Sequence, residues 1–183
     1  DRDRHGRLPL HHAIEKNAPQ DVVLYLLDQA PDTAKCNGYF PHLPLHIAVE
    51  KLTALPVLQA LLEKFPGSAG DRDMFGVLPL RRIVKSKGEE DVVLCVLADA
   101  PEAAGDLDEY ERLALHYACA RRMSVQVVSQ LIAACPSSVS VPDKNGQLPL
   151  HLAVMRSADQ DVLELLISKF PAAVLVPDDF HYL

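Results

Sequence analysis

The stretch Arg7-Leu8-Pro9-Leu10-His11-His12-Ala13-Ile14 decides the fold, because it returns. RLPLHHAI at residue 7 becomes HLPLHIAV at 42, VLPLRRIV at 77, RLALHYAC at 112 and QLPLHLAV at 147, a constant spacing of 35 residues. A fixed period of this size is the signature of a stacked-repeat architecture. Four columns do not vary across the five copies: Leu8/43/78/113/148, Leu10/45/80/115/150, Val22/57/92/127/162 and Pro31/66/101/136/171. The period divides the chain into units 1–35, 36–70, 71–105, 106–140 and 141–175. Residues 176–183 open a sixth, Leu183 falling on the Leu8 column.

Inside one unit the local signals agree. Asp3-Arg4-His5-Gly6 puts Asp and Gly where a β-turn takes them, and the same spacing recurs at Asp73–Gly76 and Asp143–Gly146. Pro9 suits the first turn of a helix, since its missing N–H would be unpaired there anyway. Leu10, Ala13 and Ile14 then give the i, i+3, i+4 apolar face of a short helix ending near Asn17. A second helix, capped by Asp21 or Gln20, carries the stripe Val22, Val23, Leu26 and Leu27. Pro31 closes it, and an extended return to the next unit is expected.

Turn, short helix, turn, longer helix and return, with PLHxA heading the first helix, resembles the ankyrin repeat over the whole chain. The usual ankyrin unit has 33 residues and T-P-L-H-x-A. Here Leu stands for Thr, with one extra residue between the helices and one after the second. Tetratricopeptide repeats are close in length, but their tryptophan signature is absent from a chain with no Trp. The expected fold is an all-α repeat solenoid, an ankyrin array of helix-turn-helix units joined by β-hairpin-like turns. Such arrays normally finish in polar caps. This chain starts and stops at a turn, with Phe180 and Tyr182 in its last residues, so it is read as a fragment of a longer array.

Composition narrows the partners. A chain of 183 residues, 49% apolar, can bury a substantial core. Its net charge of −7 opposes a phosphate backbone, so nucleic acid is not expected. No run approaches the roughly 20 apolar residues needed to cross a bilayer, so direct membrane insertion is not expected. Cys36, Cys95, Cys119 and Cys135 form no CxxC pair and follow no repeated spacing, which speaks against a zinc site or disulfide framework. They read as reduced thiols, Cys95 and Cys119 as small core residues. An intracellular, cytoplasmic location follows, with an organelle left open because the chain does not begin with Met.

The same repeat accounts for residues that imitate catalytic or metal-binding groups. His11, His46, His116 and His151 recur every 35 residues. Stacked helices lie about 8–10 Å apart, whereas zinc needs each nitrogen within about 2.1 Å of one ion. The ankyrin resemblance implies that these histidines hydrogen-bond backbone between adjacent units. Ser137, Ser138 and Ser140 have no evident His and acid partners, and no Gly-rich strand-to-helix loop suggests phosphate binding. No catalytic residue, cofactor or metal is expected, and the chain is not read as an enzyme.

A partner would act where the repeat varies. The second turn-tip column reads His5, Phe40, Phe75, Tyr110, Asn145, Phe180; four of six are aromatic in a chain only 5% aromatic, and Tyr39 and Met74 adjoin two of them. Two readings stand: rings packed along neighbouring tips, or an exposed ladder of interface anchors, aromatics being dominant in binding hot spots. The resemblance adds a concave groove lined by the ends of the first helices. The third unit departs most, with Arg81 for His and Ile83 for Ala, and Arg82, Lys85 and Lys87 gather positive charge in one short helix. That cluster is either a solvated face balanced by Glu89, Glu90 and Asp91 or a docking point for an acidic segment. The candidate partner-binding residues are therefore Phe40, Phe75, Tyr110, Phe180, Tyr39, Met74, Arg82 and Lys85. The expected function is a protein–protein interaction module, an adaptor or scaffold gripping a protein segment on the turn-tip and concave face. The alternative is a structural subunit embedded in a large multiprotein assembly. A regulatory array joined to an enzyme elsewhere in a longer polypeptide is a third class.

Overall fold

In the computed structural model, residues 2–4, 6–37, 43–86 and 88–180 are described. Two compact units divide the chain, Asp1–Ala100 and Pro101–Leu183. The first holds helices α1 (Pro9–Glu15), α2 (Gln20–Gln29), α3 (Pro44–Glu50), α4 (Leu55–Lys64), α5 (Pro79–Ser86) and α6 (Glu90–Asp99). The second holds α7 (Ala114–Ala120), α8 (Val125–Ala134), α9 (Pro149–Met155) and α10 (Gln160–Lys169). No strand occurs among the described residues, so the hairpin-like character of the joints is confined to tight turns. The first helices begin at 9, 44, 79, 114 and 149, each 35 residues after the last.

Four of the short helices, α1, α3, α7 and α9, are each started by an unusual cap. The residue before each is Leu, which has no side-chain acceptor, and the histidine at the third helical position supplies one instead. Leu8, Leu43, Leu113 and Leu148 donate their N–H groups to Nδ1 of His11, His46, His116 and His151 at 3.1, 3.1, 3.1 and 2.9 Å. This is the reciprocal half of a capping box, made by an imidazole in place of Glu. Because Nδ1 accepts, the ring proton sits on Nε2. His11, His46 and His151 donate it to the carbonyls of Cys36, Asp71 and Val176 at 2.9, 3.0 and 2.9 Å. Each bond ties a helix to the backbone entering the next turn. His116 makes the inner bond alone, its Nε2 having no partner at hydrogen-bond geometry among the described residues. Burial is the main force lowering the pKa of both His11 and His116, so each is held neutral.

The helices stop without glycine. Asn17, Leu52, Arg122 and Ser157 take positive φ of 52°, 52°, 58° and 52°, and the next residue's N–H reaches back to the helix. Ala18 N–H binds Ala13 O at 2.8 Å, and Thr53, Met123 and Ala158 do the same, a left-handed termination that satisfies orphan carbonyls. Two expectations need correction. The residue capping α2 is Pro19, and neither Gln20 nor Asp21 makes a side-chain cap bond; both lie inside the first turn, where Asp21 complements the helix dipole. The return after the second helix is not extended throughout. Pro31, Pro101, Pro136 and Pro171 open one-turn 3-10 helices, and the chain extends only afterwards, as at Cys36, Val141 and Val176.

The core of the first unit lies where α1 packs on α2 and α3, α3 on α4 and α5, and α4 on α2 and α6. Leu10, Ile14, Leu45, Leu58, Leu61, Leu80 and Ile83 are each no more than 2% exposed there. In the second unit α7 packs on α8 and α9, and α10 on α8 and α9, around Leu115, Cys119, Val127 and Leu131. Burial pushes the Cys119 thiol up to about 12, while Cys95 is only half-buried, its thiol also raised chiefly by burial.

Candidate functional site

The turns that present the tip residues are built on one repeated aspartate. Backbone bonds close each turn: Asp73 N–H to Val77 O at 3.0 Å and Gly76 N–H to Asp73 O at 2.9 Å, with equivalents at Asp3, Asp108 and Asp143. The Asp73 Oδ1 accepts the N–H groups of Phe75 and Val77 at 2.8 and 2.9 Å. Asp108 does the same for Tyr110 and Arg112, and Asp143 for Asn145 and Gln147. Asp178 accepts the N–H of Phe180 at 2.9 Å. The tip residue is thus pinned by its own amide, and its side chain is turned out.

The second carboxylate oxygen reaches elsewhere. Asp73 pairs with the Arg82 guanidinium; Asp108 accepts the Tyr117 hydroxyl at 2.5 Å; Asp143 accepts Arg112 Nε at 2.7 Å; Asp178 accepts the Gln147 amide at 3.2 Å. Asp3 accepts Arg7 Nε at 3.1 Å and binds His12 Nε2 at 2.9 Å. Arg112 also lies 5.9 Å from the Tyr117 ring centroid, within cation–π reach. Burial raises the Asp73 carboxyl, but the Arg82 guanidinium and the N–H groups of Val77 and Phe75 together outweigh it, so its pKa is lowered. In the second unit successive tips are stitched edge to edge, Lys144 N–H to Tyr110 O at 3.0 Å and Asp179 N–H to Asn145 O at 3.1 Å.

These turns place the candidate residues as follows. Phe75 is 69% exposed and Met74 40%, both in the first unit; Tyr110 and Phe180, in the second, are 54% and 60% exposed. Phe40 and Tyr39 lie outside the described residues. Arg82 is engaged by the buried Asp73 carboxylate, and its side chain is only 27% exposed. Lys85 is half-buried on the same helix and has interactions of its own. One cation of the basic helix, Arg82, is therefore balanced from the turn of its own unit, by Asp73. The contribution of Asp108 and Asp178 as turn centres, and of Arg112, Tyr117 and Gln147 as their partners, was missing from the sequence reading. Its signal was there, an Asp in the same column of the repeat at 3, 73, 108, 143 and 178, with Gly38 the one departure.

Among the described residues no group of three or more His, Cys, Asp or Glu side chains could hold a metal ion, and no helix is long and apolar enough to cross a membrane. The turn tips present exposed apolar side chains, Met74, Phe75, Tyr110 and Phe180. In a comparison with known families, the family described as ankyrin repeats, in three copies, matches residues 80–178. No curated protein matches the chain.

Proposed function

The chain belongs to the ankyrin-repeat family, whose members are in general protein–protein interaction modules and typically non-enzymatic, and from that premise we propose that it is an adaptor or scaffold. Its five 35-residue units present tip side chains to a protein segment. The observation behind this reading is the exposure of Phe75, Tyr110 and Phe180 on turns whose amides are fixed by Asp73, Asp108 and Asp178. A ring carried on a backbone already tied into a turn leaves little backbone entropy to lose when a partner covers it, and aromatic side chains combine large apolar area with few rotatable bonds. Met74 and Phe75 form the contribution of the first compact unit, with Phe40 and Tyr39 as further candidates. Tyr110 and Phe180 form that of the second. Arg82 and Lys85, beside the tips of the third unit, are proposed as polar contacts for an acidic stretch of the partner.

The test is capture of a partner from native extract with the parent and with a variant carrying Ser at Phe40, Phe75, Tyr110 and Phe180. A partner lost by the variant while its helical circular dichroism is unchanged supports the tip edge. Equal recovery by the two sinks it. A permanent subunit of a larger assembly is the second reading, favoured by apolar side chains exposed away from the tips, including Tyr25 and Val154. A cytoplasmic setting belongs to the same proposal and is supported by the four cysteines, all free thiols.

A further inference from the structure

A short loop joins the two helices of each unit, and the period lets these loops be compared residue for residue. They read Lys16-Asn17-Ala18-Pro19, Lys51-Leu52-Thr53-Ala54, Ser86-Lys87-Gly88-Glu89, Arg121-Arg122-Met123-Ser124 and Arg156-Ser157-Ala158-Asp159. The fourth alone sets two arginines ahead of a serine, with Met123 between them and an apolar side chain, Val125, behind. Protein kinases with an acidic substrate groove read this arrangement, the guanidinium groups pairing with carboxylates of the enzyme.

The fold turns the side chains that such an enzyme reads outward. Arg121, Arg122 and Val125 are exposed, and Ser124 is half-buried. Met123, which it does not read, is 4% exposed and anchors the loop, its N–H bonded to Ala118 O at 3.0 Å. α7 ends at Ala120 and α8 starts at Val125, so neither arginine nor the serine lies inside a helix. Ser124 has extended backbone, with φ −61° and ψ 159°.

The repeat also shows that this position accommodates an anion. Ser124 precedes α8 as Glu89 precedes α6 and Asp159 precedes α10, and Asp159 has nearly the same backbone, φ −63° and ψ 150°. A negative charge there faces the positive end of a helix dipole. Arg122 Nη2 lies 3.6 Å from Asp159 Oδ1, with side chains 57% and 78% exposed. So open an ion pair has little strength, and a phosphate on the arginine's own loop competes for it.

We propose that Ser124 is a phosphoacceptor for an arginine-directed serine kinase, and that the folded repeat takes the phosphate without opening. Ser124 Oγ attacks the γ-phosphorus of ATP held by the kinase. The Oγ–P bond forms as the bond from that phosphorus to the oxygen bridging the β-phosphate breaks; the hydroxyl proton passes to the kinase's base, and ADP leaves. The modification adds a charge of about −1.5 to −2 to an edge that Arg121 and Arg122 make basic. It uses none of the tip rings and stands whether or not they hold a partner.

The experiment incubates the native chain with the catalytic subunit of cyclic-AMP-dependent protein kinase and magnesium ATP. Intact mass should rise by a single phosphate, and fragment masses should place it at Ser124. Ser124→Ala, and Arg121→Gln combined with Arg122→Gln, should each lose the phosphate while keeping the parent's helical circular dichroism. The phosphorylated chain should unfold in urea at or above the parent's midpoint. A native chain that takes no phosphate overturns the proposal; labelling of a synthetic peptide of residues 119–128 in that case would show that the fold withholds the site. Phosphate that survives Ser124→Ala, or a midpoint lowered by the modification, overturns it as well.

Discussion

His46→Leu tests the bridge that joins one helix pair to the next. His46 is 1% exposed, accepts the Leu43 N–H at 3.1 Å and donates to the Asp71 carbonyl at 3.0 Å. Leucine fills similar space but can do neither. The Leu43 N–H, at a residue only 5% exposed, is left without its acceptor, a loss of about 1–3 kcal/mol for a buried donor. Asp71 is exposed, so water can reach its carbonyl, and that bond's loss is nearer the net value of about 0.5–1.5 kcal/mol. Together they give about 3 kcal/mol. With a urea m-value on the order of 2 kcal/mol per molar, the midpoint should fall by about 1.5 M, read by far-ultraviolet circular dichroism. His116→Leu should cost about 1 kcal/mol less, since His116 makes only the inner bond. A midpoint for His46→Leu within roughly 0.3 M of the parent, corresponding to about 0.6 kcal/mol, would refute the claim that the histidine column fastens the units.

Further predictions concern the turns, acid and thiols. Gly76 and Gly146 both have φ near 70°, but a Cβ at Gly76 meets nothing within 4 Å, whereas one at Gly146 lies 2.6 Å from Asp179 Oδ1 and 3.0 Å from its backbone N. Gly76→Ala should therefore cost about 1 kcal/mol of left-handed strain and Gly146→Ala distinctly more, measured as urea midpoints. Glu111, at φ 58° in the same turn position, should be stabilised by about 1 kcal/mol on Glu111→Gly. His11 and His116 have pKa values below the ordinary 6.5, so the fold favours their neutral forms. Their stabilisation is complete above pH 6.5 and is lost as pH falls from 6.5 through the lower folded values. The urea midpoint should be flat above neutrality and decline below pH 6.5, and His116→Gln should shrink that decline. A second decline should begin near 3.8 and continue below it as Asp73, whose folded pKa is lowered, is protonated and releases Arg82; Asp73→Asn should remove it. Cys119, 1% exposed with its thiol raised to about 12, should resist alkylation of the native protein that modifies the half-buried Cys36, Cys95 and Cys135.

The period of 35 residues made the family, the helix pairs and most of the core readable before any coordinates, because a stacked repeat must place the same apolar side chain at the same contact each time. Leu10, Leu45 and Leu115 are buried for one reason, and the sequence states it repeatedly. The turn tips were readable too, since Asp and Gly at fixed spacing dictate a tight turn. The end of the first helix near Asn17 was readable as well, but its left-handed backbone was not, because at Leu52 and Arg122 the same conformation is held by the surrounding packing without glycine. Nor could the sequence say that Arg82 turns to Asp73, or that the histidines cap their own helices as well as bridging onward, for these depend on side chains from separate segments meeting in space. Exposure was likewise decided by tertiary structure. Val154 and Cys119 occupy one column with one apolar pattern, yet one faces water and the other is sealed, because only the structure says whether a helix pair lies on top.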